Sequence, residues 1–267
     1  MIEINRFGEI TQIRVSRELN GCPVYWVAAY LVDGLLIDTG CSHTADELIS
    51  FLETEKVKLA VNTHYHEDHI GGNKKIQDML KIEIFAHRDS VPLIASRPFL
   101  YPYQEIAWGH PEPADVKVIP GIIKTDKYEF RIIETPGHSS GHIVLTEMSK
   151  GWCFSGDIFT RENIKFIRPE ENIGEQIKSL KMLLSLPGEK LELYTATGRV
   201  IKEGRISLSE CIDNLTALEI KVKKLAQNGI STEEIMKILF GGEHSFSQLT
   251  NGQFSTMNLI KSLLEIK

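Results

Sequence analysis

Residues 58–72 have the sequence KLAVNTHYHEDHIGG, and this stretch decides the fold. An apolar run, which predicts a buried strand, leads directly into His64, His66, Asp68 and His69. In a turn after a strand, alternate side chains can point into one space, so we expect His64 and His66 to bind one metal ion. Asp68 and His69, entering a helix, then face a second ion. A solvated loop gains little from clustering titratable side chains, so it explains this pattern poorly.

Two later segments place further ligand types at the ends of predicted strands. The strand at 128–134 is followed by Thr-Pro-Gly and His138, and the strand at 151–154 by Ser-Gly and Asp157. The glycines allow the backbone to turn closely. A lone His138 would be an ordinary loop histidine, but in the company of the first cluster we predict that it is a ligand. Imidazole and carboxylate groups suit one or two zinc ions, although iron or manganese can occupy similar sites.

Apolar patterning around these motifs predicts both strands and helices. Residues 24–38 are typical of two short strands joined at an Asp-Gly pair, which is a hairpin signal. From Asp68 the pattern becomes helical, with Ile76, Met79 and Leu80 spaced for one face. Further strands are predicted at 58–62, 81–87, 128–134, 142–147 and 151–156.

The chain after Arg199 is wholly helical in pattern. It contains an apolar stripe at helical spacing and a capping-box signature at Ser231 and Glu234. We predict three short helices here, as a winged-helix-like appendage (201–267) to a catalytic domain (1–200). The appendage carries eight basic and eight acidic side chains. Because it is electrically neutral, a DNA-reading role is disfavoured.

The stretch 97–119 stands apart from the rest. It holds four of the ten prolines and several aromatic residues, and it shows no clear period. Long irregular segments in compact domains are often lids or binding loops. We expect this loop to border the active site, with Trp108 or a neighbouring tyrosine touching the substrate. The alternative, in which these aromatic residues cover an edge of the core, stays open.

Bulk properties limit the partners and the location. The chain has 267 residues and a formal net charge of −6, so it has no broad basic surface and nucleic acid is an unlikely partner. No apolar run reaches the length of a membrane span. The four cysteines lack C-x-x-C spacing, which favours a cytoplasmic protein with reduced thiols. A small-molecule substrate is the expected partner, and a homodimer is an open possibility.

In the order and spacing of its motifs, the chain resembles the metallo-β-lactamase superfamily over about residues 20–200. The motifs are LIDTG (36–40), THYHEDHIGG (63–72), TPGHSSGH (135–142) and FSGDIF (154–159). The resemblance implies an α+β fold, a four-layer αββα sandwich with the metals at one edge. It also implies roles for seven residues: His64, His66 and His138 would hold metal one, Asp68 and His69 metal two, Asp157 would bridge, and Asp38 would orient the ligand loop.

One position departs from the family. Its members usually end the fold with a Gly-His-Gly-type loop whose histidine completes metal site two, and here Thr197 stands in that place. A hydroxyl replaces imidazole poorly on a transition metal, so site two should be weaker, wetter or empty. His110, His142 or His244 could compensate, but a structural role is the simpler expectation for each, and we expect His142 to pack beneath the site.

The predicted function is hydrolysis of a small ester, thioester or lactone by a metal-activated water, with Asp68 accepting a proton from the water or orienting it. By the same resemblance, a mononuclear iron persulfide dioxygenase would use His64, His138 and Asp157, and a ribonuclease or phosphodiesterase of this fold is a further alternative. A decayed site on a binding protein would be expected to have lost several ligands. An amidohydrolase barrel is disfavoured by the Asp68-His69 pair and the short chain.

Overall fold

Strands and helices alternate along the chain, and the computed structural model describes residues 1–266. The β-strands are β1 (Ile2–Phe7), β2 (Ile10–Val15), β3 (Glu18–Leu19), β4 (Cys22–Pro23), β5 (Val27–Val32), β6 (Leu35–Ile37), β7 (Leu59–Val61), β8 (Glu83–Ala86), β9 (Lys117–Val118), β10 (Ile122–Lys124), β11 (Glu129–Glu134), β12 (Ile143–Glu147), β13 (Trp152–Gly156), β14 (Glu192–Thr195) and β15 (Val200–Ile201). The α-helices are α1 (Ala45–Leu52), α2 (Glu67–Ile70), α3 (Asn73–Leu80), α4 (Val91–Ile94), α5 (Pro102–Ala107), α6 (Ile173–Leu184), α7 (Gly204–Gln227), α8 (Thr232–Phe240), α9 (Phe246–Leu249) and α10 (Thr256–Glu265).

Two mixed sheets make up the centre of the fold. The first has seven strands in the order β1-β2-β5-β6-β7-β8-β9, and the second has six in the order β10-β11-β12-β13-β14-β15. Strands β6 to β9 run parallel to one another, as do β13 and β14. The carboxyl ends of parallel strands meet at one edge of a sheet, which is where ligand sites collect in such folds.

Three hydrophobic clusters define four layers. The inner faces of the two sheets meet in one cluster, which includes Tyr30, Phe130 and Phe154. The outer face of the first sheet packs against α1 and α3. The outer face of the second sheet packs against α6, α7, α8 and α10. Helices therefore cover both outer faces, and the predicted α+β, four-layer αββα sandwich is confirmed.

The local signals explain where several elements turn. At the hairpin between β5 and β6, Asp33 and Gly34 both have positive φ, 47° and 83°, as the tight two-residue hairpin turn requires. Asn172 caps α6 by accepting a hydrogen bond from the backbone of Glu175 at 3.0 Å. Ser231 forms the predicted capping box at the start of α8.

Some local predictions were wrong. Met79 is 59% exposed, because the face of α3 that packs against the first sheet is centred on Ile76, and Met79 lies on its flank. Residues 201–266 contain four helices instead of three, and α7 alone has 24 residues. The 97–119 stretch is only partly irregular, since α5 lies within it and begins at Pro102, a residue well suited to a first helical turn.

The C-terminal helices share a core with the rest of the chain. Leu208 of α7, Ile235 of α8 and Leu259 of α10 belong to the same buried cluster as Cys153 of β13. The division into 1–200 and 201–267 stays a prediction, and the side chains on its two sides form one continuous apolar core. Within residues 1–266, no helix is both long and apolar enough to cross a membrane.

Candidate metal centre

The six predicted ligands lie together at the edge where strands of both sheets end. His64, His66, Asp68 and His69 follow β7, His138 follows β11, and Asp157 follows β13. The close turns are made possible by glycines. A Cβ on Gly137 would lie 2.4 Å from the backbone nitrogen of Gln176, and Gly137 has φ of +135°, a conformation open mainly to glycine.

Three histidines form the first group. Nδ1 of His66 lies 3.0 Å from Nε2 of His64 and 2.9 Å from Nε2 of His138. The ligand atoms of this trio all lie within 4.8 Å of one another. All three side chains are buried.

Asp157 lies between this trio and the other pair. Its Oδ2 is 3.6 Å from Nε2 of His138 and 3.4 Å from Nε2 of His69. Nε2 of His69 is also 3.8 Å from Oδ2 of Asp68. His64, His69 and Asp157 form the second group of three within 4.8 Å that is found among residues 1–266.

Hydrogen bonds behind the site fix the rings of three histidines. Nδ1 of His69 lies 2.8 Å from Asp38, and Nδ1 of His138 lies 3.1 Å from Glu171. The Thr63 hydroxyl donates to Asp38 at 2.8 Å, so it accepts from Nδ1 of His64 at 3.0 Å. In all three rings Nδ1 makes this outward hydrogen bond, and Nε2 is the nitrogen that faces the centre. This arrangement is typical of metal-ligating histidines.

The donor set fits a divalent cation. Nδ1 of His66 lies within hydrogen-bonding distance of Nε2 of His64 and of Nε2 of His138. In the neutral form of the His64 and His138 rings the proton is on Nδ1, where it is used in a hydrogen bond away from the centre, so Nε2 of each ring has only a lone pair to offer. Among residues 1–266, Nε2 of His69 and Oδ1 of Asp68 are buried and make no hydrogen bond. An unpaired buried polar atom is unfavourable, and a cation between these atoms would pair them all. The cluster of histidines and aspartates therefore has the donor set of a divalent-metal site.

The pKa shifts differ among the histidines: burial lowers the pKa of His138, but the Glu171 carboxylate outweighs it and raises that pKa above the ordinary value. Burial lowers the pKa of His64 and of His66 well below the ordinary range, so both rings are neutral at neutral pH, as metal ligation requires. For His69, burial lowers the pKa, but the carboxylates of Asp38 and Asp68 outweigh it and hold the pKa well above the usual value. The site therefore carries concentrated negative charge that a cation would neutralise.

His142 supports the site without an inward-facing nitrogen. Its Nε2 accepts a hydrogen bond from the backbone of Asp157 at 3.1 Å, and its Nδ1 lies 2.8 Å from the hydroxyl of Thr135. Both ring nitrogens are occupied, the side chain is buried, and its ring centre lies 5.1 Å from that of His64. Its hydrogen bond fixes the backbone of Asp157.

The other candidates for an extra ligand have different surroundings. The Thr197 hydroxyl lies 2.9 Å from the hydroxyl of Thr195. His110 pairs with Glu105 at 2.7 Å. His244 lines the cavity beside the site and packs against Phe166, with tilted rings whose centres are 4.5 Å apart. Among residues 1–266, neither group of three ligand atoms includes a histidine outside the predicted set.

Two features were missed in the sequence. Glu171 orients His138, and nothing in its surroundings marks it. Glu67 lies within the histidine motif, where the ligand pattern gives it no role. Its carboxylate accepts hydrogen bonds from Gln104 at 2.7 Å and from Arg168 at 3.2 Å, and the guanidinium of Arg168 lies 5.0 Å from the ring centre of Phe254.

A cavity of about 350 Å³ opens onto the metal-ligand cluster. Asp68, His138 and Asp157 contribute to its lining, as does Trp108, which is only 4% exposed. Trp108 also packs in the core on the outer face of the first sheet. The same side chain therefore lines the cavity and covers an edge of the core. Phe99 is 81% exposed and lies outside the cavity lining.

Comparison with known proteins is consistent with this geometry. The family model described as the metallo-beta-lactamase superfamily matches residues 26–192. A relative from Drosophila melanogaster, Beta-lactamase-like protein 2 homolog, is 30% identical over 181 residues, which cover 63% of this chain and 56% of that protein. Hydroxyacylglutathione hydrolase from Pelagibacter ubique is 26% identical over 77% of this chain and 84% of its own. A solved beta-lactamase domain protein from Burkholderia ambifaria superposes with a TM-score of 0.68 at 17% identity, over 99% of this chain and 83% of that chain; this likeness concerns the fold alone.

Proposed function

The chain belongs to the metallo-beta-lactamase superfamily and is a hydrolase of that fold, and we propose that it cleaves a small thioester, ester or lactone with zinc as its metal. The convergence of His64, His66 and His138, with Asp157 beside them in an open cavity, carries this proposal. In it these three histidines hold metal one, Asp68 and His69 hold metal two, and Asp157 bridges. Mixed imidazole and carboxylate ligands suit zinc.

The protein side chains have distinct tasks in this reaction. A zinc ion at the site would lower the pKa of a coordinated water to about 7 and polarise the carbonyl group under attack. The Asp68 carboxylate lines the cavity and is placed to accept a proton from the attacking water or to orient that water. Asp38 and Glu171 keep His69 and His138 in the tautomer that leaves Nε2 free, and the buried ligand side chains limit the access of bulk water.

Among the three substrate types, a thioester has the most support. The cavity volume of about 350 Å³ lies within the range of small-molecule sites, about 300–1,000 Å³. Arg161 and Lys165 are exposed members of its lining, which suits a leaving group that carries negative charge. The Pelagibacter relative is named for hydroxyacylglutathione, which is a thioester. A nucleic acid is a poorer match, because the net charge of the chain is −6.

The test is an activity and metal analysis of one preparation. Protein purified without added metal is assayed for bound zinc, iron and manganese, and then for hydrolysis of acetyl thioesters of glutathione and coenzyme A, an acetate ester and a lactone. We expect bound zinc and hydrolysis of a thioester, and both should fall together when the metal is removed by a chelator. Bound iron with oxygen consumption on a glutathione persulfide, and no hydrolysis, would replace this proposal with the dioxygenase.

Thr197 gives a second prediction about the metal. With a hydroxyl where the family has an imidazole, site two has three protein ligands, Asp68, His69 and the shared Asp157. We expect its zinc to be the first removed by a mild chelator. Thr197→His should raise the zinc affinity of site two by at least about 10-fold. Removing a residue that only hydrogen-bonds to a ligand already lowers metal affinity or activity by about 10- to 100-fold, and a new ligand should have at least the smaller of these effects. Zinc titration by calorimetry measures both sites.

Thr197→Asn is the matched control, since it adds bulk without an imidazole and should leave the second zinc weak. Two equally tight sites in the unmodified protein would contradict the prediction. That outcome would mean that another group has taken the place of the missing histidine.

A further inference from the structure

Three phenylalanines meet at the wall of the cavity, and two of them come from the C-terminal region. The ring centre of Phe166 lies 5.7 Å from that of Phe246 and 5.9 Å from that of Phe254, and Phe246 and Phe254 are 5.5 Å apart. All three line the same cavity as Asp68, His138 and Asp157. We call Phe166, Phe246 and Phe254 the aromatic wall.

The aromatic wall is not part of the folding core. Its three rings are half-buried and lie outside the three buried clusters that hold the sheets and helices together. Their exposed surface faces the cavity. The core does not cover this apolar surface, which lies beside the candidate catalytic site. A ligand can bury it on binding.

The wall is held rigidly. Ile167, next to Phe166, and Ser255, next to Phe254, exchange backbone hydrogen bonds of 3.3 and 3.0 Å. The carboxylate of Glu243 accepts hydrogen bonds from the hydroxyl of Ser255 and the backbone of Thr256, both at 2.7 Å. The segment that carries Phe246 and Phe254 is thus tied to the 160–168 loop by hydrogen bonds, and such contacts favour a preorganised binding surface.

The side chains next to Phe254 are also aromatic or cationic. Phe254 contacts Tyr103, with ring centres 6.1 Å apart, and the guanidinium of Arg168 lies 5.0 Å from the Phe254 ring centre and 5.9 Å from that of Trp108. A flat ring entering the cavity would meet aromatic edges and faces. Aromatic pairs with centres about 4.5–7 Å apart gain stability beyond the area they bury.

We propose that the aromatic wall binds the acyl group of the substrate and that this group contains an aromatic ring. The proposal rests on the proposed function and narrows it to thioesters or esters of aryl-substituted acids. The cavity volume of about 350 Å³ accommodates such an acyl group beside the metal ligands, while the leaving group extends past the exposed Arg161 and Lys165. The wall makes the C-terminal region the part of the chain that determines substrate choice.

The test compares two ring-bearing acyl groups of similar size and one small acyl group, all on the same neutral thiol. The zinc-loaded protein is given the phenylacetyl, cyclohexylacetyl and acetyl thioesters of N-acetylcysteamine, and kcat/KM is measured for each. The first two differ only in whether the ring is aromatic, and their carbonyl groups are similarly reactive. We expect phenylacetyl to exceed cyclohexylacetyl by about 3- to 10-fold and to exceed acetyl by at least about 10-fold.

Variants assign the preference to the wall. Phe254→Ala should remove most of the preference for phenylacetyl over cyclohexylacetyl, and Phe254→Leu, which keeps the apolar bulk and protects against a folding defect, should do the same. Phe99→Ala is the matched control, because Phe99 is exposed outside the cavity, and it should leave the ratio unchanged. Equal kcat/KM for the two ring-bearing thioesters, or a ratio unaffected by both Phe254 variants, would overturn the proposal.

A binding measurement separates this proposal from the proposed function. If the wild-type protein hydrolyses none of the thioesters, the proposed function fails, and the wall is then judged by ligand-observed NMR with phenylacetate and cyclohexylacetate. Tighter binding of phenylacetate that weakens by about 3- to 10-fold in Phe254→Leu supports the wall. Equal binding of the two acids refutes it.

Discussion

Replacing His66 by alanine is expected to remove hydrolytic activity and the metal at site one together. Nδ1 of His66 lies between Nε2 of His64 and Nε2 of His138, at 3.0 and 2.9 Å, so the change deletes the central member of the trio. Loss of an outer partner of a ligand already lowers metal affinity or activity by about 10- to 100-fold, so loss of a ligand should exceed about 100-fold. Metal content by elemental analysis and kcat/KM on an acetyl thioester measure the two effects.

His87→Ala is the control for this experiment. His87 is a buried histidine whose Nε2 lies 3.2 Å from Glu134, and it belongs to neither group of ligand atoms. The control should keep its metal and its activity. A His66→Ala protein that retained both would show that the ligand set is wrong.

Replacing Arg168 by methionine is expected to destabilise the fold by about 3–5 kcal/mol. The side chains of Arg168 and Glu67 are only 6% and 5% exposed, so the change leaves the Glu67 carboxylate buried without its cation. Burial lowers the pKa of Arg168, but Glu67 more than offsets this and holds the pKa above the usual range, so the guanidinium stays charged. Urea unfolding of the metal-free protein, with chelator present, measures the loss in free energy of unfolding.

The double variant Arg168→Met with Glu67→Gln completes a thermodynamic cycle. The amide introduced by Glu67→Gln would keep an acceptor for Gln104 and would carry no charge, so we expect the double variant to recover most of the loss. A single variant that loses less than about 1 kcal/mol would mean that water reaches Glu67 and that the pair resembles a surface ion pair.

The core of the site could be predicted because its signals are local. His64, His66, Asp68 and His69 lie within six residues of one another, and His138 follows a recognisable strand and turn. The four-layer fold followed from the same motifs by family resemblance.

The supporting groups Glu171 and Arg168 could not be predicted, because their partners are distant in sequence and no family motif marks them. Glu171 lies 33 residues after His138, and Arg168 lies 101 residues after Glu67. Their positions depend on how the loop after β13 folds back over α2. Hydrophobic periodicity in the sequence predicts helices and strands but not the path of such a loop. For the same reason the tail was predicted as an appendage, although Phe246 and Phe254 turn out to line the cavity.

The cavity is lined both by residues of the metal-ligand cluster and by Phe246 and Phe254 of the C-terminal region. Ligand binding is therefore linked to the docking of the C-terminal helices. A ligand that fits only while the C-terminal helices are docked binds that state alone, and by mass action it adds RT ln(1 + [L]/Kd) to the free energy of docking. At a ligand concentration of 100 times Kd this amounts to about 2.7 kcal/mol. We therefore expect a saturating ligand to slow proteolysis within the C-terminal helices, as limited proteolysis with and without the ligand would measure.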